Sequence, residues 1–339
     1  LVLFGGFLVN AYATGIPVLE ALRPLSVFSW TAEHRPLAGS WDWAPVVALS
    51  GVVAVLLTAG VVVFERRDIG ITAGSGPVRL PSLPAGTGGP LRRQLADRLG
   101  GALAWGLGIG LYAFIIAMSA DAFADAVGTT PQFQELIDTL FPGIEISEPV
   151  GVVQLVFFVF GALILSLAAA GMIGDWAGDE GDGRLDMVLA APISRFRWAI
   201  GSGLGVLLAI ALVSGLIGAS IALGVLSQGG DAGSVAGATV ALALFGAAVG
   251  GVGLLVGGLF GTRFAGLVAG GLAVTWFLLD LLGPLLDLPE WVVTLSLNGH
   301  LGRPLLGEYD PAGIAASALL AVGGLVIGAW GWTRRDVRS

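Results

Sequence analysis

The sequence contains no cysteine and no lysine, and only two histidines, His34 and His300. Without cysteine there is no disulfide, no thiolate nucleophile and no zinc–thiolate site. Without lysine there is no Schiff-base chemistry. A P-loop is excluded too, because its G-x-x-x-x-G-K-[ST] pattern needs an amine to reach the β/γ-phosphates. Two histidines leave no basis for a multi-histidine metal site, so no metal and no cofactor are expected in this chain. Charge is scarce as well. Of 339 residues 12% are charged, against about 25% in a soluble domain. An ordinary cytosolic enzyme is excluded, and the 55% hydrophobic content requires the bilayer as solvent.

Long uncharged runs fill the sequence instead. A membrane helix needs about 20 apolar residues, and windows of that kind recur at Ala44–Phe64, Leu99–Ala120, Val150–Gly174, Trp198–Gly230, Ala232–Thr262, Phe264–Leu279 and Pro311–Thr333. Leu1–Ala13 reads as the end of a further span. None of the windows carries a polar face at helical period, which a buried helix of a soluble protein would need. The expected fold class is therefore an all-α polytopic membrane protein. Arginines set its orientation. With the C-terminus cytoplasmic, only Arg23, Arg35 and Arg303 fall outside and the other arginines fall inside. Trp30, Trp41, Trp43, Trp276 and Trp291 then lie near the outer interface as belt anchors, and His34 and His300 lie in outer loops.

The chain repeats itself at a shift of 268. Arg35-Pro36-Leu37 aligns with Arg303-Pro304-Leu305, and Arg66-Arg67-Asp68 with Arg334-Arg335-Asp336, with Gly39, Asp42 and Gly60 matched between them. Each copy reads as an outer loop, one span and a basic stop. This predicts three parts: residues 1–68 as the last two spans of one membrane unit, residues 69–89 as a Gly/Pro-rich cytoplasmic linker, and residues 90–339 as a second unit of six spans. Equivalent halves also imply that the chain is truncated at its N-terminus, a fragment of a twelve-span protein. After the linker, Leu91, Leu95 and Leu99 share one helix face flanked by Arg92, Arg93 and Arg98. That pattern predicts an amphipathic helix over 91–99 lying in the inner interface.

The most informative stretch is the inner loop Gly174–Trp198. Asp182 can cap a short helix over about 182–191, with Asp186 in its early turns and Pro192 marking its end. Leu185, Val188 and Leu189 fall at i, i+3 and i+4 on one face. A small helix with an apolar stripe at the membrane surface needs something to dock against. Small residues crowd the long windows, as at Gly201–Gly205 and Gly250–Gly253, and read as helix packing rather than pore lining. Asp280 is the one ionisable residue near a span interior. With Gly283-Pro284 following, a re-entrant pair over Asp280–Leu301 would place it at the outer boundary.

The run from Glu180 to Arg195, with its acidic glycine-containing start, leucine-bearing helix and Pro192-Ile193-Ser194-Arg195 ending, resembles the coupling-helix segment of type-two ABC exporter permeases. It falls between the second and third spans of the second unit, as in that family. An interfacial helix before the first span is a further feature of that family, and Leu91–Leu99 matches it. The doubled six-span layout is similar to the subgroup of polyketide-antibiotic exporters. The resemblance implies a permease of an ATP-driven exporter for amphipathic or hydrophobic small molecules, antibiotic or drug-like, in the plasma membrane. It implies that ATP is bound by a separate ATP-binding subunit, in two copies. That subunit would dock on Leu185, Val188 and Leu189, with Glu180, Asp182, Arg184, Asp186, Pro192, Ser194 and Arg195 framing the contact. No catalytic residue and no nucleic-acid partner are expected. The alternative is an ion-coupled secondary transporter, which usually carries a buried carboxylate or broken helices near the midplane; no span here has a clearly central carboxylate. An intramembrane enzyme has still less to work with.

Overall fold

A computed structural model of the protein describes residues 6, 9–10, 17–30, 43–65, 89–128, 131–141, 143–181 and 193–334. Among these residues there is no strand, only an isolated antiparallel bridge between Arg303 and Glu308. The chain divides into two units, Leu1–Val78 and Arg79–Ser339.

The first unit contains α1 (Pro17–Leu22), a 3-10 turn at Arg23–Leu25, α2 (Val27–Trp30) and α3 (Trp43–Glu65). Its short helices are tied by Ser26, whose Oγ donates to the Gly6 carbonyl at 2.6 Å. Helix α3 has 23 residues, about 35 Å at 1.5 Å per residue, which is enough for the hydrocarbon core of a bilayer. Its side chains, including Val47, Leu56 and Leu57, are exposed, as lipid-facing residues would be.

The second unit contains α4 (Gly89–Gly128), α5 (Pro131–Leu140), α6 (Pro149–Gln154), a π-helical stretch at Leu155–Phe160, α7 (Gly161–Gly181), α8 (Arg195–Ser227), α9 (Gly233–Phe260), a 3-10 turn at Thr262–Phe264 and α10 (Ala265–Leu282). The irregular segment 283–310 follows, with α11 (Glu290–Val293) and two 3-10 turns, and α12 (Pro311–Arg334) closes the unit. Among the described residues seven helical stretches are long and apolar enough to cross a membrane. One is α3, and the other six are α4, α6–α7, α8, α9, α10 and α12. They coincide with the seven long windows read from the sequence. The window Leu1–Ala13 lies almost wholly outside the described residues.

The core is built where α8 runs along α4, α9 runs along α12, and α7 joins both pairs. Ile210, Val213, Ile217 and Ile221 recur at helical period on α8 and are fully buried, as are Leu242 and Phe245 on α9 and Leu165 and Ile173 on α7. Glycines set how close the helices come. A Cβ on Gly251 would lie 2.2 Å from the Leu320 carbonyl oxygen, and one on Gly324 would lie 2.1 Å from that of Gly251. Helices α9 and α12 therefore touch backbone to backbone, a contact only small residues allow. The turn between α8 and α9 is closed by Gly229 at φ +78°. The Gly230 N–H donates to Val225 O and the Gly229 N–H to Leu226 O, the pairing of a Schellman ending.

Two expectations are corrected. Residues 91–99 are not a separate helix in the interface plane but the first turns of α4, continuous with the span. Gly201 and Gly205, one turn apart on α8, open a groove there. A Cβ at Gly201 would lie 3.0 Å from Pro90 Cβ, and one at Gly205 would lie 2.8 Å from Gln94 Cβ. The face of α4 that could have met lipid meets α8 instead. Similarly, Trp276 is not a belt residue: it is buried and packs against Phe245 with ring centroids 6.4 Å apart. Trp43 and Trp291 are exposed.

Candidate functional site

Helix α7 continues through Gly174 to Gly181, so the loop read from Gly174 begins later than its composition indicates. Asp182, Arg184, Leu185, Asp186, Val188, Leu189 and Pro192 lie outside the described residues. What the structure gives is the base on which that segment stands: the end of α7, the start of α8, and the elements that grip them.

Three indoles form the centre of this base. Trp176 comes from α7, just before the segment, Trp198 from α8, just after it, and Trp332 from the end of α12. Trp176 and Trp198 stack at 6.3 Å with their planes 15° apart. Trp332 meets both edge-on, at 6.0 Å from Trp176 and 4.9 Å from Trp198. All three are buried. Aromatic pairs in such geometries contribute about 0.5–1.5 kcal/mol each beyond the area they bury. Trp176 also donates its indole N–H to Ser202 Oγ at 3.2 Å. Gly257 makes room for it from α9, since a Cβ there would lie 2.7 Å from the Trp176 ring.

Polar contacts surround the indoles. Glu180, on the last turn of α7, accepts from Thr262 Oγ1 at 2.6 Å, which ties the edge of the segment to the joint between α9 and α10. Ser194 caps α8, its side chain accepting from the Arg197 N–H at 3.2 Å. Its extended backbone and β-hydroxyl suit that position. Arg195 follows as the first, exposed residue of α8. Arg98 reaches across from α4 to Asp175 Oδ2 at 3.2 Å. The Gln94 carboxamide, with its oxygen turned toward Arg98, accepts from its Nη2 at 2.9 Å and its Nε at 3.0 Å. Arg98 is thus a bundle residue, whereas Arg92 and Arg93 are exposed, Arg93 standing 3.8 Å from Asp97 one turn on. The structure brings Glu180, Ser194, Arg195 and Arg98 to one end of the unit.

At the opposite end Asp280, on the last turn of α10, accepts from Ser296 Oγ at 2.9 Å and Asn298 Nδ2 at 2.8 Å. It pins the irregular segment back onto the helix. His300 presents Nδ1 to Asp310 Oδ2 at 2.5 Å and Nε2 to the Thr294 carbonyl at 3.2 Å. The hydrogen bond to Asp310 raises the His300 pKa above its ordinary value and lowers that of Asp310. The buried Gln154 side chain accepts from the Leu305 N–H through Oε1 at 3.1 Å. Among the described residues no group of three His, Asp or Glu side chains could hold a metal ion.

The indole cluster was not singled out in the sequence. A tryptophan at a span end reads as an interface anchor by default. The usable signal was that Trp176 and Trp198 bracket the leucine-bearing segment on both sides.

A family model described as the multidrug efflux system permease Rv1217c, C-terminal domain, matches residues 90–333. The multidrug efflux system permease protein Rv1217c of Mycobacterium tuberculosis is 30% identical over 333 aligned residues, covering 92% of this chain and 57% of that protein. The chain spans a little over half the length of this curated relative.

Proposed function

Because the chain belongs to the family of the multidrug efflux system permease Rv1217c, we propose that it is membrane machinery of a type-two ABC exporter for amphipathic or hydrophobic small molecules. A separate ATP-binding subunit, in two copies, hydrolyses ATP and docks on the segment 182–192. The C-terminus faces the cytoplasm, on the same side as that segment. The observation that carries this reading is the indole cluster. It fastens both ends of the segment to each other and to α12, so a push on the segment reaches three spans at once. Glu180 on Thr262 extends the linkage to α9 and α10, and Arg98 on Asp175 extends it to α4. The ATPase supplies the chemistry. This chain supplies an apolar contact through Leu185, Val188 and Leu189, polar contacts through Asp182, Arg184, Asp186 and Arg195 that set register, and a stiff path from them into the bundle.

The test is to replace Leu185 and Leu189 together with aspartate. The expected outcome is loss of ATPase co-purification with membrane insertion unchanged, because two carboxylates in an apolar groove are desolvated without partners. If the ATPase is retained by the double variant, docking on this segment is wrong.

A further inference from the structure

A cavity of about 570 Å³ opens at the end of the second unit opposite the indole cluster, where α4, α6, α8 and α9 meet. That volume lies within the range of small-molecule sites. Its lining is divided by depth. Ala117, Val153, Ile221, Val235 and Leu305 line it and are buried, forming an apolar floor. Asp121, Glu148 and Asp231 also line it and are exposed, so the carboxylates stand at the mouth. No basic side chain lines it. Asp231 is held in place by the Gly233 N–H, which donates to its Oδ1 at 2.8 Å. The Glu148 side chain makes no capping bond to α6.

We propose that this cavity binds lipophilic organic cations, compounds with an apolar body and a single positive charge. The floor takes up apolar area, which stabilises by about 25 cal/mol per Å² removed from water. The mouth supplies three carboxylates on separate elements and an excess of negative potential that concentrates cations. The C-terminal end of α8 adds to it with the same sign, while the N-terminal ends of α6 and α9, which also line the cavity, oppose it, so the excess rests on the three carboxylates. Other ligand classes fit less well. An anion meets three carboxylates and no base. A hard divalent cation needs several converging oxygens, and among the described residues no three carboxylates, those at the mouth included, come close enough together to hold one. A zwitterionic lipid headgroup brings a phosphate into the same repulsion. As a binding site the cavity stands on its own lining; as the substrate site of the exporter it rests on the function proposed above.

Tetraphenylphosphonium and tetraphenylborate share one shape and carry opposite charge, so together they separate the contribution of the floor from that of the mouth. Equilibrium dialysis of each against the purified full chain in detergent, with empty micelles subtracted, is expected to show tetraphenylphosphonium bound and tetraphenylborate not bound. Joint replacement of the exposed Asp121→Asn and Glu148→Gln should weaken tetraphenylphosphonium about tenfold and flatten its salt dependence. Val225→Phe, reaching into the cavity with the carboxylates intact, should weaken it as well. Equal binding of the two ions, or unchanged tetraphenylphosphonium affinity in a double amide variant with a native melting temperature, overturns the proposal. The measurement needs no ATPase. Loss of tetraphenylphosphonium binding with ATPase co-purification intact would fail the cavity alone, and the reverse result would fail the drive alone.

Discussion

His300 donates from both ring nitrogens when it is protonated, because both of its neighbours, Asp310 and the Thr294 carbonyl, are acceptors. The hydrogen bond to Asp310 comes first among the causes that raise its pKa, with burial opposing it and the Asp310 and Asp280 charges reinforcing it. The folded value lies above the ordinary 6.5. The stability contributed by the pair is therefore complete below 6.5 and is lost as pH rises through the raised value. Asp310 has the opposite sign: held below 3.8, it contributes above that value and loses its contribution as pH falls through the lowered one. The melting temperature of the protein in detergent should thus decline as pH is raised from mildly acidic into the alkaline range. His300→Gln should remove that slope while leaving the alkaline value nearly unchanged. An undiminished slope in the variant would show that another group titrates. Sequence position alone placed His300 in an outer loop, and nothing in its neighbours announced Asp310 as its partner, ten residues away across two turns.

At the scale of elements, spans were legible because a bilayer demands about 20 apolar residues whatever the fold. What packs on each span was not. Leu91, Leu95 and Leu99 have the same period whether their face meets lipid or protein. Gly201 and Gly205, more than a hundred residues later, decide for protein by opening a groove on α8. Gly174–Gly181 carries loop-like composition and yet continues α7, since Trp176 and Glu180 find partners there that hold the helix together. The α9–α12 contact gives a direct test, because two adjacent glycines on α12 differ in surroundings. A Cβ at Gly324 would collide with the Gly251 backbone, while one at Gly323 meets nothing within 4 Å. Gly324→Ala should destabilise by about 1–3 kcal/mol through overpacking. Gly323→Ala should be neutral or stabilising by up to about 1 kcal/mol through helix propensity. Thermal unfolding of the two variants in detergent checks the pair, and equal effects would mean that the helices are not in backbone contact.

For the whole molecule, the segment proposed to dock is a reading of the sequence, while the base that flanks it was not legible there. The leucine spacing between Asp182 and Pro192 is a local signal, which a sequence carries openly; that Ser194 caps α8 emerged only with the fold. The fastening of the helix ends on either side of it comes from Trp332, more than a hundred residues downstream, and only the fold brings it to Trp176 and Trp198. This separates attachment from transmission. Trp332→Leu removes the edge-on contacts but leaves Leu185 and Leu189, the leucines proposed to dock, alone. In the proposed complex it should keep the ATPase bound while lowering compound-stimulated ATP hydrolysis about tenfold, a loss of coupling of about 1.4 kcal/mol. Loss of the ATPase itself would mean that the indoles merely hold the docking segment in shape.

Three indoles this close do not absorb light independently. Their strong far-ultraviolet transitions mix, and the mixing gives circular dichroism a paired positive and negative band there whose size depends steeply on separation and tilt. A protein held together at this point by tryptophan therefore carries its own strain gauge. Any event that pries Trp176 from Trp198, the proposed nucleotide turnover and compound binding among them, can be followed in solution without attaching a label.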